Sequence, residues 1–167
     1  MSARDQTLAG VRLVAFDIDG VFTDGRFYLS NDGIESKAFY THDGFGVRQL
    51  LEAGLVVAVI SGRQSVAVDQ RMAELGVRYV IQGKSDKVAA FETLVTELGI
   101  SDAQAVYVGD DVPDLPLLRR VGFSVAVSNA HDDVKAESDY TTARAGGFGA
   151  VREVCDLVLH ARQNGKG

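Results

Sequence analysis

The chain has 167 residues, enough for one domain over residues 1–167, with 46% hydrophobic residues, 24% charged residues and a formal net charge of −6. The acidic charge argues against nonspecific nucleic-acid binding, no apolar run approaches the about 18 residues of a membrane span, and a single cysteine, Cys155, excludes an internal disulfide. The N-terminal residues lack the apolar stretch of a signal peptide, so we expect a cytoplasmic protein with neither nucleic-acid nor membrane partners.

The first predicted element is a strand at residues 12–17, RLVAFD, which is apolar almost throughout. Four more runs rich in valine and isoleucine also predict strands buried on both faces: 55–60, 77–81, 105–109 and 123–127. Between them, residues 44–53 and 85–98 have helical spacing, and Ser85 is a plausible N-cap of the second helix. Alternating strands and helices predict an α/β, Rossmann-like three-layer fold around a mostly parallel sheet.

A segment at about 24–40 interrupts the path from the first strand to the first helix. Within it, RFYLSNDGIESKAFY contains two strand-like runs around a turn with Gly33, which predicts a protruding β-hairpin. An isolated two-stranded hairpin is marginal in water, so its apolar residues need a cover. The cover is either the body of the domain or the same hairpin of another subunit, and we take the second as a hypothesis of oligomerisation.

The C-terminal segment at about 147–167 has the spacing of an amphipathic helix followed by a tail. Val151, Val154 and Val158 form its apolar stripe, and Cys155 beside them is expected to be a buried small hydrophobe. Gly146 and Gly147 precede the helix, where they form either a simple turn or a hinge.

Polar side chains follow the predicted strands where the carboxyl ends of a parallel sheet meet and bind ligands. In chain order they are Asp17 and Asp19, then Ser61, Gly62 and Arg63, then Lys84 and Lys87, then Asp110, Asp111 and Asp114. Carboxylates gathered at one edge repel unless a cation lies among them, and oxygen ligands favour Mg²⁺. We therefore expect a magnesium site. Its predicted ligands are Asp17, Asp19 and Asp110, supported by Asp111 and Asp114.

The chemistry that fits this edge is phosphoryl transfer through a carboxylate. Asp17 would attack phosphorus and form an aspartyl-phosphate. Asp19 would protonate the leaving oxygen and later activate water. Ser61 and the Gly62 amide can bind phosphate oxygens, and Lys87 can neutralise charge on the transferred group.

Each of these residues also has a structural interpretation. Asp17 and Asp19 could be a turn and helix-cap pair, and Ser61 could cap a helix that begins near residue 64. Asp114 could cap the short helix that follows it, or it could fix Lys87 and bound waters.

The chain resembles the haloacid dehalogenase superfamily in four motifs that occur in order. They are Asp17-Ile18-Asp19-Gly20-Val21, then Ser61, then Lys87, then Gly109-Asp110-Asp111-Val112-Pro113-Asp114. Dehalogenases of this superfamily generally lack the second aspartate, whereas its phosphatases use it as acid and base. The resemblance therefore implies a phosphatase, and it favours Lys87 over Lys84 as the catalytic cation.

Longer stretches resemble one family of these phosphatases. DGVFTDGRFY, KAFYTHDGFG, VISGR and AGGFGAVREVCDLVL are similar to the 3-deoxy-D-manno-octulosonate 8-phosphate phosphatases of lipopolysaccharide sugar synthesis. This similarity implies a domain without a cap and a homotetramer assembled through the 24–40 hairpin, in which neighbouring subunits close the active site. It also implies a sugar-acid phosphate as substrate and Mg²⁺ as cofactor.

The residues that would contact the sugar are less typical. Arg63 is our first candidate for the sugar carboxylate, followed by Arg152 or Arg144 of a neighbouring subunit, and the resemblance adds Asp43. His42 and Phe148 stand where many relatives carry basic residues, and His42 is a further candidate contact. A related branch acts on nine-carbon 2-keto acid phosphates, which is the alternative substrate class.

Two functions outside enzymology are also compatible with some of these features. A phospho-acceptor switch combines aspartates, a hydroxyl and a lysine on a parallel sheet, but it does not use the Asp17-x-Asp19 pair on its first strand. A noncatalytic scaffold would not need all four motifs. Rapid hydrolysis of a sugar phosphate would favour the enzyme over both the switch and the scaffold.

Overall fold

The structure is a computed structural model that describes residues 2–165. Its strands are β1 (Leu13–Phe16), β2 (Tyr28–Leu29), β3 (Glu35–Ser36), β4 (Val56–Ile60), β5 (Tyr79–Ile81), β6 (Ala105–Gly109), β7 (Phe123–Ala126) and β8 (Tyr140–Thr141). Six of them form one sheet in the order β5-β4-β1-β6-β7-β8, in which every neighbouring pair is parallel. The predicted parallel sheet is confirmed.

Helices cover the sheet and complete the expected three-layer α/β fold. They are α1 (Ala3–Ala9), α2 (Thr41–Glu52), α3 (Val66–Leu75), α4 (Lys87–Leu98), α5 (Leu115–Leu118), α6 (Asp132–Glu137) and α7 (Ala150–Asn164). Helix α7 packs against α1 and α2, whereas α5 packs against α4 and α6. No helix within residues 2–165 is both long and apolar enough to cross a membrane.

Strand β1 lies at the centre of the sheet and fixes the position of the site. All four of its residues are fully buried, because β4 and β6 pair with it on either side and helices cover both faces. After β1 the chain first builds β4 and β5 on one side, and then returns to build β6, β7 and β8 on the other. Open α/β sheets bind ligands where the strand order reverses in this way, outside the carboxyl ends of the strands.

The predicted hairpin is present as a separate two-stranded antiparallel sheet of β2 and β3. Gly33 at its tip has φ +77°, a conformation that favours glycine. Tyr28, Leu29 and Ile34 are 67%, 66% and 65% exposed, so the body of the domain does not cover them. Between β1 and α2 the chain contains only turns and this hairpin, which agrees with the expectation of no cap domain.

Some local expectations differ from the structure. The N-cap of α4 is Asp86, whose carboxylate accepts the Ala89 amide at 3.0 Å, and the prediction of Ser85 is wrong by one residue. Helices α1 and α6 and strand β8 had no sequence prediction, because they are short and carry little periodic signal. Cys155 is buried on α7 as expected.

Candidate active site

The first aspartate follows directly from the register of β1. The Asp17 amide donates to the Val108 carbonyl at 2.9 Å, which continues the pairing of β1 with β6 and brings Asp17 to the edge of the sheet. The chain then turns sharply, because the amides of Val21, Phe22 and Thr23 all donate to the Ile18 carbonyl. This turn directs the next aspartate, Asp19, to a different side of the crevice.

Glycine is required inside this turn. Gly20 has φ +88°, and a Cβ atom there would overlap the carboxylate of Asp110. The turn can therefore approach the end of β6 closely only because residue 20 lacks a side chain.

The residues after β6 form a compact acidic loop that Asp114 organises. One carboxylate oxygen of Asp114, Oδ2, accepts the amides of Asp110 and Asp111 at 3.0 and 3.3 Å. The Asp111 carboxylate in turn accepts the Val112 amide at 2.8 Å and caps the short 3₁₀ turn Val112–Asp114. Asp114 and Asp111 thus support the loop, and the capping interpretation applies to Asp111 rather than to Asp114.

Lys87 lies at the first position of α4 and extends into the acidic cluster. Its ammonium group is 2.9 Å from Asp17 and 2.7 Å from Asp114, and it donates to the Tyr107 hydroxyl at 3.2 Å. The ammonium group thus hydrogen-bonds Asp114 and Tyr107 and forms an ion pair with Asp17. Lys84 is exposed and does not line this cleft, whereas Lys87 does.

Tyr107 is a member of the site that the sequence analysis missed. It is fully buried within β6, and its hydroxyl donates to Asp114 Oδ1 at 2.7 Å. Burial and the nearby carboxylates of Asp114 and Asp17 raise the pKa of this phenol well above its ordinary value, so it stays protonated as a donor. The available signal was a lone tyrosine in the otherwise aliphatic strand AVYVG.

Without a bound cation, the carboxylates of the site repel one another. Burial raises the pKa of Asp17, and the nearby Asp114 raises it further, although Lys87 partly offsets both effects. Burial also raises the pKa of Asp110, together with the charges of Asp17 and Asp114. Burial by itself lowers the pKa of Lys87, but Asp17 and Asp114 outweigh it and hold that pKa above its usual value. A cation among these oxygens would relieve the repulsion.

The donor set fits a hard divalent cation such as Mg²⁺. Oxygens of Asp17, Asp110 and Asp114 lie within 4.8 Å of one another. Asp114 already accepts four hydrogen bonds, from Lys87, Tyr107 and two backbone amides, which leaves Asp17 and Asp110 as the free ligands.

The predicted ligand role of the Asp19 side chain does not match this arrangement. Its carboxylate is paired instead with Lys37 and lies 3.8 Å from the Arg63 guanidinium. The turn after Asp17 is the reason, because it rotates Asp19 toward the hairpin. This position is compatible with the predicted role of Asp19 as acid and base beside the cleft.

The predicted phosphate-binding residues lie across the crevice at the end of β4. Ser61 is buried, its amide donates to the Ile81 carbonyl at 2.8 Å, and its hydroxyl accepts the Arg63 amide at 3.3 Å. An open cleft of about 340 Å³ joins these residues to the carboxylates and Lys87. It is lined by Asp17, Asp19, Gly25, Ser61, Gly62, Arg63, Lys87, Asp110, Asp111, Pro113 and Asp114.

Asp43 lies outside this cleft, and its predicted contact with the substrate stays a prediction. Its side chain is buried at 1% exposure under the start of α7, where Oδ1 accepts the Arg152 amide at 2.9 Å. Its other oxygen has no hydrogen-bond partner among the described residues. Burial raises the pKa of Asp43 to about 6, and the hydrogen bond from the Arg152 amide offsets this only in part.

This burial predicts a pH-dependent stability. Between about pH 4 and pH 6 the folded state binds more protons than the unfolded state, so the free energy of unfolding falls as the pH rises through this window. Asp43→Asn removes that contribution. Relative to wild type, the variant should gain up to about 3 kcal/mol of stability between pH 4 and pH 7, since one pKa unit corresponds to 1.36 kcal/mol.

Urea denaturation across this range measures the gain. Asp133→Asn, at an exposed position of α6, is the control. A stability difference between Asp43→Asn and wild type that does not change with pH would contradict the assignment.

His42 and the arginines expected to reach a neighbouring site line a second cleft of about 490 Å³. The ring of His42 packs against the ring of Tyr40, with their centroids 4.7 Å apart. Arg144 and Arg152 lie along the same cleft. None of these residues lines the carboxylate cleft. Phe148 is also exposed outside that cleft. Their contact with a sugar stays a prediction.

Comparison with known proteins agrees with this arrangement. A family model described as haloacid dehalogenase-like hydrolase matches residues 79–153. The 3-deoxy-D-manno-octulosonate 8-phosphate phosphatase of Escherichia coli K12 is 47% identical over 152 residues, which cover 91% of this chain and 81% of the relative.

Solved structures are similar over nearly the whole chain. The crystal structure of a 3-deoxy-D-manno-octulosonate 8-phosphate phosphatase from Yersinia pestis has a TM-score of 0.95 at 41% identity, covering 100% of this chain and 91% of that one. The enzyme of that name from Moraxella catarrhalis, in complex with a magnesium ion, a phosphate ion and a KDO molecule, also has a TM-score of 0.95, at 43% identity. The similarity covers 98% of this chain and 94% of that one.

Proposed function

The chain belongs to the 3-deoxy-D-manno-octulosonate 8-phosphate phosphatase family of haloacid dehalogenase-like hydrolases, and we propose that it hydrolyses 3-deoxy-D-manno-octulosonate 8-phosphate. The products are 3-deoxy-D-manno-octulosonate and inorganic phosphate, and the reaction is a step of lipopolysaccharide sugar synthesis. The observation that carries this proposal is a carboxylate, Asp17, at the strand-order reversal of the sheet, with Lys87 at 2.9 Å and Asp110 beside it.

Magnesium is the cofactor in this proposal, with Asp17 and Asp110 as the residues that hold it. When bound, the ion supplies positive charge that offsets the repulsion between a carboxylate and a phosphate dianion. The other steps are carried out by the protein's own side chains.

Asp17 is the nucleophile in this mechanism. Its carboxylate oxygen bonds to phosphorus as the bond from phosphorus to the sugar oxygen breaks, which gives an aspartyl-phosphate and an alcohol. Asp19 gives a proton to the departing oxygen and later removes one from the water that attacks the aspartyl-phosphate. Water adds to phosphorus, and Asp17 leaves as a free carboxylate.

Other groups that line the cleft bind the phosphoryl oxygens. The Ser61 hydroxyl and Gly62 amide serve as donors, and the Lys87 ammonium neutralises the charge that builds up on the transferred group. Lys87 is already fixed by Asp114 and Tyr107, so little reorganisation is needed during the reaction.

The carboxylate of a sugar acid needs a cation to bind it, and the presence of Arg63 supports a sugar acid as the substrate. Its guanidinium lines the cleft while remaining about half exposed, so it is available to a ligand. Nine-carbon 2-keto acid phosphates carry the same carboxylate, and they remain the second candidate substrates. A phospho-acceptor switch has no use for an acid and base at Asp19.

We extend the proposal to a homotetramer in the cytoplasm, assembled through the 24–40 hairpin. The exposed Tyr28, Leu29 and Ile34 support an interface between copies of this chain, because exposed apolar side chains clustered on one hairpin call for a cover. Sedimentation of the purified protein measures the assembly, and a monomer at micromolar concentration would refute it.

The function is tested by phosphate release with and without Mg²⁺ across a panel of sugar phosphates. We expect hydrolysis of the eight-carbon acid phosphate to exceed that of the nine-carbon acids and of neutral sugar phosphates. A chelator should reduce activity by at least about 10³-fold, because several kcal/mol of charge stabilisation is lost, and added Mg²⁺ should restore it. Preference for another substrate would move the protein to a sister function with the same chemistry. No hydrolysis of any panel member would refute the enzyme assignment.

A further inference from the structure

The hairpin delivers one buried charge to the active site. The side chain of Lys37, just beyond β3, is 0% exposed, although the hairpin residues Tyr28, Leu29 and Ile34 stand out in solvent. Its ammonium group pairs with the carboxylate of Asp19 and lies 3.6 Å from that of Glu35.

Lys37 belongs to a closed ring of four alternating charges. From Asp19 the ring passes to Lys37 and Glu35, then to the Arg63 guanidinium at 2.6 Å from Glu35, and back to Asp19 at 3.8 Å from Arg63. The Arg63 guanidinium also lies 4.1 Å from the centre of the Phe27 ring, at the base of the hairpin. The ring therefore ties the hairpin to the cleft through the carboxylate that the mechanism needs as acid and base.

The two cations of this ring are not equivalent. Arg63 is about half exposed, and it is the residue expected to bind the sugar carboxylate, so a substrate draws it away from Asp19. Lys37 is enclosed and does not line the cleft. During turnover Lys37 is thus the partner that stays on Asp19.

We propose that Lys37 is the positioning residue that holds the Asp19 carboxylate at the leaving-group side of the cleft. This role rests on the proposed phosphatase function, and it acts through Asp19 rather than on the substrate. It assigns the hairpin a part in catalysis within its own subunit, in addition to assembly.

The experiment compares two substrates that differ in their need for an acid. The sugar phosphate expels an alkoxide, which needs a proton, whereas p-nitrophenyl phosphate expels a phenolate that leaves without one. Because kcat/KM reports the steps up to leaving-group departure, Lys37→Met should lower it about 10²-fold for the sugar phosphate, the usual contribution of a positioned acid. The same variant should lower kcat/KM for p-nitrophenyl phosphate less than about threefold. Lys37→Arg should recover most of the loss.

A double-mutant cycle separates positioning from a structural role. In an Asp19→Asn background, Lys37→Met should have no further effect on kcat/KM for the sugar phosphate, since Lys37 acts only through Asp19. Lys37→Gln serves the same comparison if the methionine variant does not fold. Lys135→Met, which removes an ion-paired lysine on α6, is the matched control.

Each outcome decides the matter. Equal losses on both substrates, additive losses with Asp19→Asn, or no loss at all would overturn the positioning role. A wild-type protein without sugar-phosphate hydrolysis would instead refute the proposed function, and that result is visible before any variant is made.

Discussion

Asp17→Asn should abolish phosphate release while leaving the fold and the assembly nearly unchanged. The amide has the shape of the carboxylate but cannot attack phosphorus, so kcat should fall on the order of 10⁴-fold or more. Asp17 is crowded by Asp114 and Asp110, and burial has already raised its pKa, so a neutral group at this position adds no unpaired charge. Lys87 keeps its contacts with Asp114 and Tyr107.

Two measurements on the purified variant test this expectation. Steady-state phosphate release gives the loss of activity, and thermal unfolding should stay within a few degrees of wild type. The control is Asp32→Asn at the exposed tip of the hairpin, which makes the same chemical change away from the cleft. Substantial turnover in a pure Asp17→Asn sample would contradict the assignment of Asp17 as the nucleophile.

Lys87→Met should reduce both activity and stability. The ammonium group lies between the buried carboxylates of Asp17 and Asp114, and its removal leaves both without their cation. Loss of one partner of a buried ion pair typically costs about 3 kcal/mol or more, and we expect the lower end because Asp114 keeps three other hydrogen bonds. Loss of its charge in the transition state should lower kcat about 10³-fold.

A second substitution distinguishes the two effects. In Lys87→Met/Asp114→Asn, the amide oxygen can still accept the loop N–H groups, and the amide N–H can donate to the Tyr107 hydroxyl, whose own proton loses its acceptor. The double variant should therefore recover part of the lost free energy of unfolding, measured in urea, but none of the activity. Lys84→Met, an exposed lysine three residues earlier, should change stability by less than about 0.5 kcal/mol. A comparable effect at Lys84 would contradict the choice between the two lysines.

The positions of the main chemical groups could be predicted because their signals are local. An apolar run too short for a helix predicts a buried strand, and the residue after it must lie at the edge of the sheet. Asp17, Ser61 and Asp110 occupy that edge in the structure for this reason. The hairpin was equally visible, since Gly33 and two short strand-like runs mark it without reference to the rest of the chain.

The sequence by itself thus determined the parallel α/β sheet, the hairpin and the acidic edge with its lysine, all of which depend on neighbours along the chain. Only the tertiary structure decided the partners of each side chain: Asp114 saturated by Lys87 and Tyr107, Asp19 turned toward Lys37, and Asp43 buried against the Arg152 amide. Asp19 and Lys37 are 18 residues apart, and Asp43 and Arg152 are 109 residues apart. Contacts at such separations follow from how whole elements pack, and no local pattern of residue types encodes them.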